Sequence, residues 1–268
     1  MRSWFEMPDI VMLVAVRDGA IAGYADLSDH ALEHRRFWID LRVPPSADAD
    51  ATAAALLEAM EARAADAAES GASVRVSVAG PDELGRGYVE KAGYELFRHS
   101  FQMRIEFDGD LPEPEWPHGI SVRTFVPGTD DERVYAAHQE AFADGFEHAS
   151  WPYENWRGWA FTETFDPSLW FVAEEGDEIA GISLCRSQAG PEGDLGWVNV
   201  LGVRRPWRRR GLGRALLVNA FAEFRARGKR GVGLGVDGLN PTGAVQLYEE
   251  AGMHVARRFD QYAKPLSP

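Results

Sequence analysis

The stretch that most restricts how this chain can fold is Trp197 to Ala215, WVNVLGVRRPWRRRGLGRA. An apolar run ends in arginines and passes through Arg208-x-x-Gly211-x-Gly213 toward a helical segment, an order that reads as strand, turn, helix. A helix N-terminus carries unpaired N–H groups and a partial positive charge. A glycine-rich entry therefore lets a diphosphate approach the backbone of Arg209, Arg210, Gly211, Leu212, Gly213 and Arg214. Gly211 and Gly213 keep Cβ atoms out of the way. The net charge is −14, so the cluster Arg204, Arg205, Arg208, Arg209, Arg210 and Arg214 is a local exception. Two readings of it stand side by side: arginines solvated at a helix start, or arginines that contact phosphates.

The chain repeats itself. Aligning Lys91-Ala92-Gly93-Tyr94 with Glu250-Ala251-Gly252-Met253 places Val74 to Val78 on Gly233 to Asp237. Upstream, Val11 to Val16 and Ile21 to Asp26 mirror Leu169 to Glu174 and Ile179 to Leu184. Each pair of apolar runs is split by a turn, Arg17-Asp18-Gly19 and Glu175-Gly176-Asp177. Alanine-rich Ala49 to Glu69 corresponds to Leu212 to Arg227. In the second half, Ile120 to Phe125 reads as an opening strand and Asp130 to Phe142 as a helix, with a further helix after Pro152. The first half begins its strands near Val11 without such an opening. Asp108 to His118 is proline-rich and acidic, which suits an extended linker. The expected domains are 1–107, a linker at 108–118, and 119–268.

The halves differ where chemistry needs them. Pro44-Pro45-Ser46-Ala47-Asp48-Ala49-Asp50-Ala51 stands where the second half has arginines and glycines, so carboxylates replace a phosphate cradle. Pro81 takes the place of Asn240 and Val89 that of Tyr248. The first half reads as a degenerate, scaffolding copy.

The residues 200–215, then Gly231 to Asp237 and Asn240 to Met253, resemble the acyl-CoA motif and the next strand and helix of the GNAT superfamily of N-acyltransferases. The resemblance implies an α/β (α+β) fold of two tandem GNAT-like domains, each a mixed twisted sheet flanked by helices, with the N-terminal copy truncated. It implies acetyl-CoA as cosubstrate, held by Leu201, Gly202, Val203, Arg208 to Arg214 and Asn240. It also implies direct attack of an amine on the thioester. The tandem layout is similar to that of mycothiol synthase, and the acceptor is not assigned from it. An acetyl-CoA-dependent N-acetyltransferase acting on a small-molecule amine is expected. A peptide or protein N-acetyltransferase and a noncatalytic acyl-CoA-binding module are the alternatives.

Such a transfer needs a neutral amine, a polarised carbonyl and a protonated leaving thiolate. The N–H of Leu201 or its neighbour would polarise the carbonyl. Tyr248, whose ordinary pKa of about 10 keeps its proton at neutral pH, matches the family's candidate acid; the bland alternative is a tyrosine packed on the sheet. Asn240 matches the position that bonds the cosubstrate and also fits as the cap of a helix beginning at Pro241, and both uses together are expected. For the base, Glu147, His148 and Asp144 in an aromatic loop, and Asp194 and Asn199 near the carbonyl donor, are candidates. Phe146, Trp151, Tyr153, Trp156 and Trp159 either wall an acceptor or pack in the core.

Other features narrow the class. The single cysteine, Cys185, excludes an internal disulfide framework, reads as a strand residue, and suits a reducing, cytoplasmic compartment. His30-x-x-Glu33-His34 has the letters of a zinc site but falls on a short connection between strands, so no metal is expected. The acidic balance disfavours nucleic acid, and no membrane span is evident. A monomer or homodimer is expected.

Overall fold

In the computed structural model, residues 10–29, 34–146, 150–188 and 193–266 are described. The chain divides into two compact units, residues 1–100 with 257–268, and residues 101–256. The boundaries differ from the sequence expectation at both joints. The segment expected as a linker falls in the second unit, and the last residues return to the first.

In the first unit, strands β1 (Ile10–Arg17), β2 (Ala20–Asp29) and β3 (Arg36–Arg42) are followed by helix α1 (Ala49–Ala67). Then come β4 (Ser73–Ala79), α2 (Glu83–Lys91) and residues 95–100 of β5 (Glu95–Glu106). Asp18 and Gly19 both have positive φ, 51° and 77°, which is the backbone a tight hairpin between β1 and β2 requires. The strand order is β1-β2-β3-β4-β11-β5, where β11 is the C-terminal strand His254–Pro265. β11 joins this unit because its residues 259–265 pair antiparallel with β4. Leu27, Phe37, Ile39, Leu57, Met60, Val74, Val76 and Tyr262 form the core under α1.

The second unit opens with residues 101–106 of β5. It continues with β6 (Ile120–Thr124), α3 (Asp131–Phe142), α4 (Tyr153–Ala160), β7 (Trp170–Glu175), β8 (Glu178–Arg186) and β9 (Leu195–Val203). α5 (Leu212–Ala226), β10 (Gly231–Asp237) and α6 (Ala244–Glu250) follow. Its strand order is β5-β10-β9-β8-β7-β6, with β9 and β10 parallel and β6 to β9 antiparallel. Leu212, Leu216, Ala220 and Phe224 recur at helical spacing and bury one face of α5. Gly196 lets this helix come close, since a Cβ there would lie 2.4 Å from the Phe224 ring. On the other face, Trp156, Trp170, Val134 and Phe125 form a separate core with α3 and α4.

A buried ion network fixes the start of α3. Asp130, fully buried, accepts from both terminal nitrogens of Arg123 (2.5 and 2.9 Å) and from the Val126 N–H. Arg123 also donates twice to Glu174. Cys185 is buried in the second unit's core, and burial pushes its thiol up to about 12, which leaves it protonated and unreactive. No helix among the described residues is long and apolar enough to cross a membrane.

Candidate active site

The site is built where β9 and β10 part. Their parallel pairing runs from Leu195–Gly231 to Val198–Leu234 and stops there, although β9 continues to Val203 and β10 to Asp237. The cause lies on the opposite edge of β9. β8 pairs Cys185 with Val198 and Leu184 with Val200, so Asn199 is an extra, unpaired residue. A bulge of this kind bends its strand and increases local twist, carrying the end of β9 away from β10.

The bulge also decides which amide faces the gap. Arg204 N–H donates to Ala180 C=O at 3.0 Å, which fixes the alternation along this ladder. Gly202 and Val200 point their backbone groups at β8, whereas Leu201 and Val203 point theirs away from it, into the gap. The Val203 carbonyl is taken by Arg208 Nε at 3.0 Å. The Leu201 N–H is thus an open-edge donor. Gly202 serves packing: a Cβ there would lie 3.0 Å from the Ala141 methyl and 3.2 Å from the Phe142 ring, so its bare face receives α3.

After β9, residues Arg205–Trp207 form one short turn of 3₁₀ helix, and Arg209 and Gly211 take left-handed conformations, φ 61° and 86°. Neighbouring residues of opposite hand turn successive N–H groups into one concavity. α5 begins immediately, with no side-chain cap at Gly211, so its first amides remain available. Leu212 contributes only backbone here, because its side chain is buried. A Cβ on Gly213 would lie 3.2 Å from Leu247 and 3.6 Å from Val203; the end of β9, the start of α5 and helix α6 meet at this glycine.

The six arginines separate into two groups. Arg204 donates to Glu140 and to the Ile179 carbonyl. Arg205 and Arg208 both bind Asp144, and Arg208 also reaches the Ala141 carbonyl. Arg210 pairs with Glu175 at 2.8 Å and reaches the His118 carbonyl. Among the described residues, only Arg209 and Arg214 of this cluster make no side-chain hydrogen bond or ion pair. The four engaged arginines brace the turn, and two cations stay uncommitted among the described residues.

Tyr248, on α6, is 8% exposed, and burial pushes its phenol up to about 12. Its hydroxyl has no hydrogen-bond partner among the described residues. Asn240 does not cap a helix at Pro241. Its side-chain oxygen accepts from Thr242 N–H (2.9 Å) and Thr242 Oγ1 (2.5 Å), closing a local turn, and α6 starts only at Ala244 behind Gly243, φ 78°. The turn wins because Asn side chains mimic a backbone acceptor two residues on. Asn240 stays half-exposed, with its amide nitrogen uncommitted.

The candidate bases sort by geometry. The Arg205 and Arg208 guanidiniums hold the Asp144 carboxyl far below the usual carboxylate range, so it is ionised but too weak a base. Asp194 sits before the first residue of β9 and pairs with Arg230; at about 3.3 Å per residue it is roughly 20 Å from Leu201. Asn199 is a carboxamide and takes up no proton at neutral pH, which leaves it a hydrogen-bonding role at the bulge. Glu147 and His148 lie outside the described residues, as do His30 and Glu33 of the zinc-like string. Its remaining histidine, His34, bonds Asp29 at 2.8 Å, and no metal-holding group occurs among the described residues.

The aromatic segment is mostly core. Trp156 is fully buried, and Tyr135, Tyr153 and Phe161 pack against it. Trp156 Nε1 donates to His138 Nδ1 at 2.8 Å, so neutral His138 carries its proton on Nε2 and is a donor there. Trp197 is a residue the sequence reading passed over. Its indole lies across β10, where a Cβ on Gly233 would meet it at 2.7 Å. The alternation Gly231-Val-Gly233-Leu-Gly235 is the signal that the strand needs one bare face.

Comparison with known proteins gives the family. Residues 132–253 match the Acetyltransferase (GNAT) family. A protein of Geodermatophilus obscurus named mycothiol acetyltransferase is 34% identical over 247 residues, covering 90% of this chain and 78% of that protein. The chain belongs to the GNAT acetyltransferase family. A mycothiol acetyltransferase of Thermobispora bispora is 39% identical over 163 residues, a match spanning 60% of this GNAT chain and 55% of its relative. The crystal structure of a GCN5-related N-acetyltransferase from Sphaerobacter thermophilus superposes with a TM-score of 0.82 at 34% identity, over 97% of this chain and 81% of that one.

Proposed function

We propose that this chain is an acetyl-CoA-dependent N-acetyltransferase that moves acetyl to a primary amine of a small molecule by direct attack within a ternary complex. One observation carries the reading: among the described residues the Leu201 N–H stands unpaired at the edge of the β9–β10 gap, beside a turn that presents free helix amides and two uncommitted arginines.

The α5 amides, Arg209 and Arg214 fit the diphosphate of acetyl-CoA, and the gap between the strands fits an extended amide chain. The Leu201 N–H would accept the charge that builds on the thioester oxygen as the amine attacks. Holding amine and thioester together supplies the orientation part of the rate. Tyr248, buried and unpartnered, keeps its proton through the neutral range and gives it to the departing thiolate. Glu147, three residues after the anchored Asp144, is the proposed base for the incoming ammonium. Asn199 and Asn240 are proposed to position the acceptor and the cosubstrate by hydrogen bonds. The relatives named mycothiol acetyltransferase put small-molecule amines first among acceptors to test.

The direct experiment is calorimetry of acetyl-CoA with the wild type and with Gly211→Glu, whose side chain sets bulk and negative charge in the cradle. Binding to wild type that is lost in the variant, followed by thiol release on adding an amine, supports the reading. An absence of wild-type binding overturns it.

A further inference from the structure

The first unit holds a cavity of about 320 Å³ between the ends of β3 and β4 and the start of α2. β3 and β4 pair in parallel from Arg36–Ser73 to Ile39–Val76 and then separate, although β3 runs on to Arg42 and β4 to Ala79. Ser73 N–H donates to Arg35 C=O, while Leu266 N–H donates to Ala72 C=O and Gly80 N–H to Arg258 C=O. These bonds fix the alternation: even residues of β4 face β11, and odd ones face β3. The pair Ile39–Val76 uses the Ser77 N–H on the Ile39 C=O, so beyond it the Ser77 C=O and the Leu41 N–H point into the gap.

Tyr88 also lines the cavity. It is 7% exposed, and its hydroxyl is buried without a hydrogen-bond partner among the described residues. A buried hydroxyl left unpaired is costly, and native folds rarely carry one without a use. Val43, Val76, Val78 and Val89 make one side of the wall aliphatic, and Arg42 and Asp82 line the cavity as well. Among the described residues the lining offers a phosphate no uncommitted cation: its one basic side chain, Arg42, is paired to Asp40, and Asp82 adds a carboxylate.

We propose that this cavity is a second ligand site, one that takes a neutral molecule bearing a secondary amide and a small aliphatic group. The amide N–H would donate to the Ser77 C=O and its carbonyl would accept from the Leu41 N–H, as an added strand does. The aliphatic group would fill the space between the valines, and a second carbonyl would accept from the Tyr88 hydroxyl. The site is independent of the chemistry assigned to the other unit, and its test reads binding alone.

The probe is N-acetyl-leucine N-methylamide, titrated by calorimetry into the full chain carrying Gly211→Glu, so that the second unit's cradle is closed. Saturable one-site binding is expected. Tyr88→Phe should weaken it roughly fivefold or more through the lost hydrogen bond. Val43→Phe, which fills the cavity, should abolish it. N-acetyl-leucine, with its free carboxylate, should bind roughly tenfold more weakly beside Asp82. CoA should not displace the amide. An amide that does not bind, binding indifferent to both variants, or displacement by CoA would each overturn the proposal. A wild-type-like melting temperature for Tyr88→Phe separates a lost contact from a lost fold.

Discussion

Arg208 Nη1 donates to the Asp144 carboxylate at 2.7 Å, so the arginine that opens the glycine motif braces the loop after α3. Its Nε and Nη2 are spent on the Val203 and Ala141 carbonyls. Arg209 and Arg214, by contrast, hold no partner among the described residues.

The two roles should separate on substitution. Arg208→Ala is expected to lower the melting temperature by about 2–4 °C. Arg209→Ala and Arg214→Ala should leave it within about 1 °C while each weakening acetyl-CoA binding by about 3–10-fold. Thermal melts and calorimetry on the three variants decide it; equal losses of binding with unchanged melts would return Arg208 to the ligand.

This division was out of reach of the sequence, and the reason is physical. The glycines, the strand before them and the helix after them are local patterns, so the cradle and most elements of both units could be read from the chain. The carboxylates Glu175, Asp144 and Glu140 that hold these arginines lie 35 to 64 residues away, as in Arg210–Glu175 and Arg204–Glu140, and no periodicity reports them. The bulge at Asn199 is a matter of register between two strands, each unremarkable alone. The pairing of residues 259–265 with β4 is likewise a choice among sheet edges that an alternating strand does not specify. Asn240 followed by proline fits a helix entry and a local turn equally well until Gly243 is seen to start α6.

Tyr248→Phe tests the proposed acid. Turnover should fall by roughly 10²-fold while the KM for acetyl-CoA stays within about twofold, because the phenol ring and its packing remain. With its pKa raised to about 12, wild-type Tyr248 should give no alkaline limb to the kcat profile below pH of about 10. Unchanged turnover in the variant would remove Tyr248 from the reaction.

Gly196 faces the Phe224 ring at a distance no Cβ tolerates, 2.4 Å. Gly196→Ala should therefore push α5 from β9 and cost about 1–3 kcal/mol by denaturant titration. An unchanged midpoint would mean that Phe224 can turn aside freely.

The Arg123–Asp130–Glu174 network makes a prediction with a definite sign. Burial opposes ionisation of Asp130, but the hydrogen bonds from Arg123 and the Val126 N–H, with the charges of Arg123 and Arg133, outweigh it and lower its pKa. Hydrogen bonding to Arg123 lowers Glu174 in the same way against its own burial. A carboxyl whose folded pKa lies below its unfolded value contributes stability that is fully present above the unfolded pKa, about 4 for these groups. The contribution is lost as pH falls through the folded values. The chain should thus hold a level melting temperature from neutrality down to about pH 5 and lose it steeply below about pH 4. Asp130→Asn leaves Arg123 facing a neutral amide in a buried site, and should cost about 3 kcal/mol at pH 7. The deficit should shrink as the pH is lowered, because the wild type then gives up the same charge. Parallel loss of stability in both proteins across the acid range would place the acid-sensitive carboxylates elsewhere.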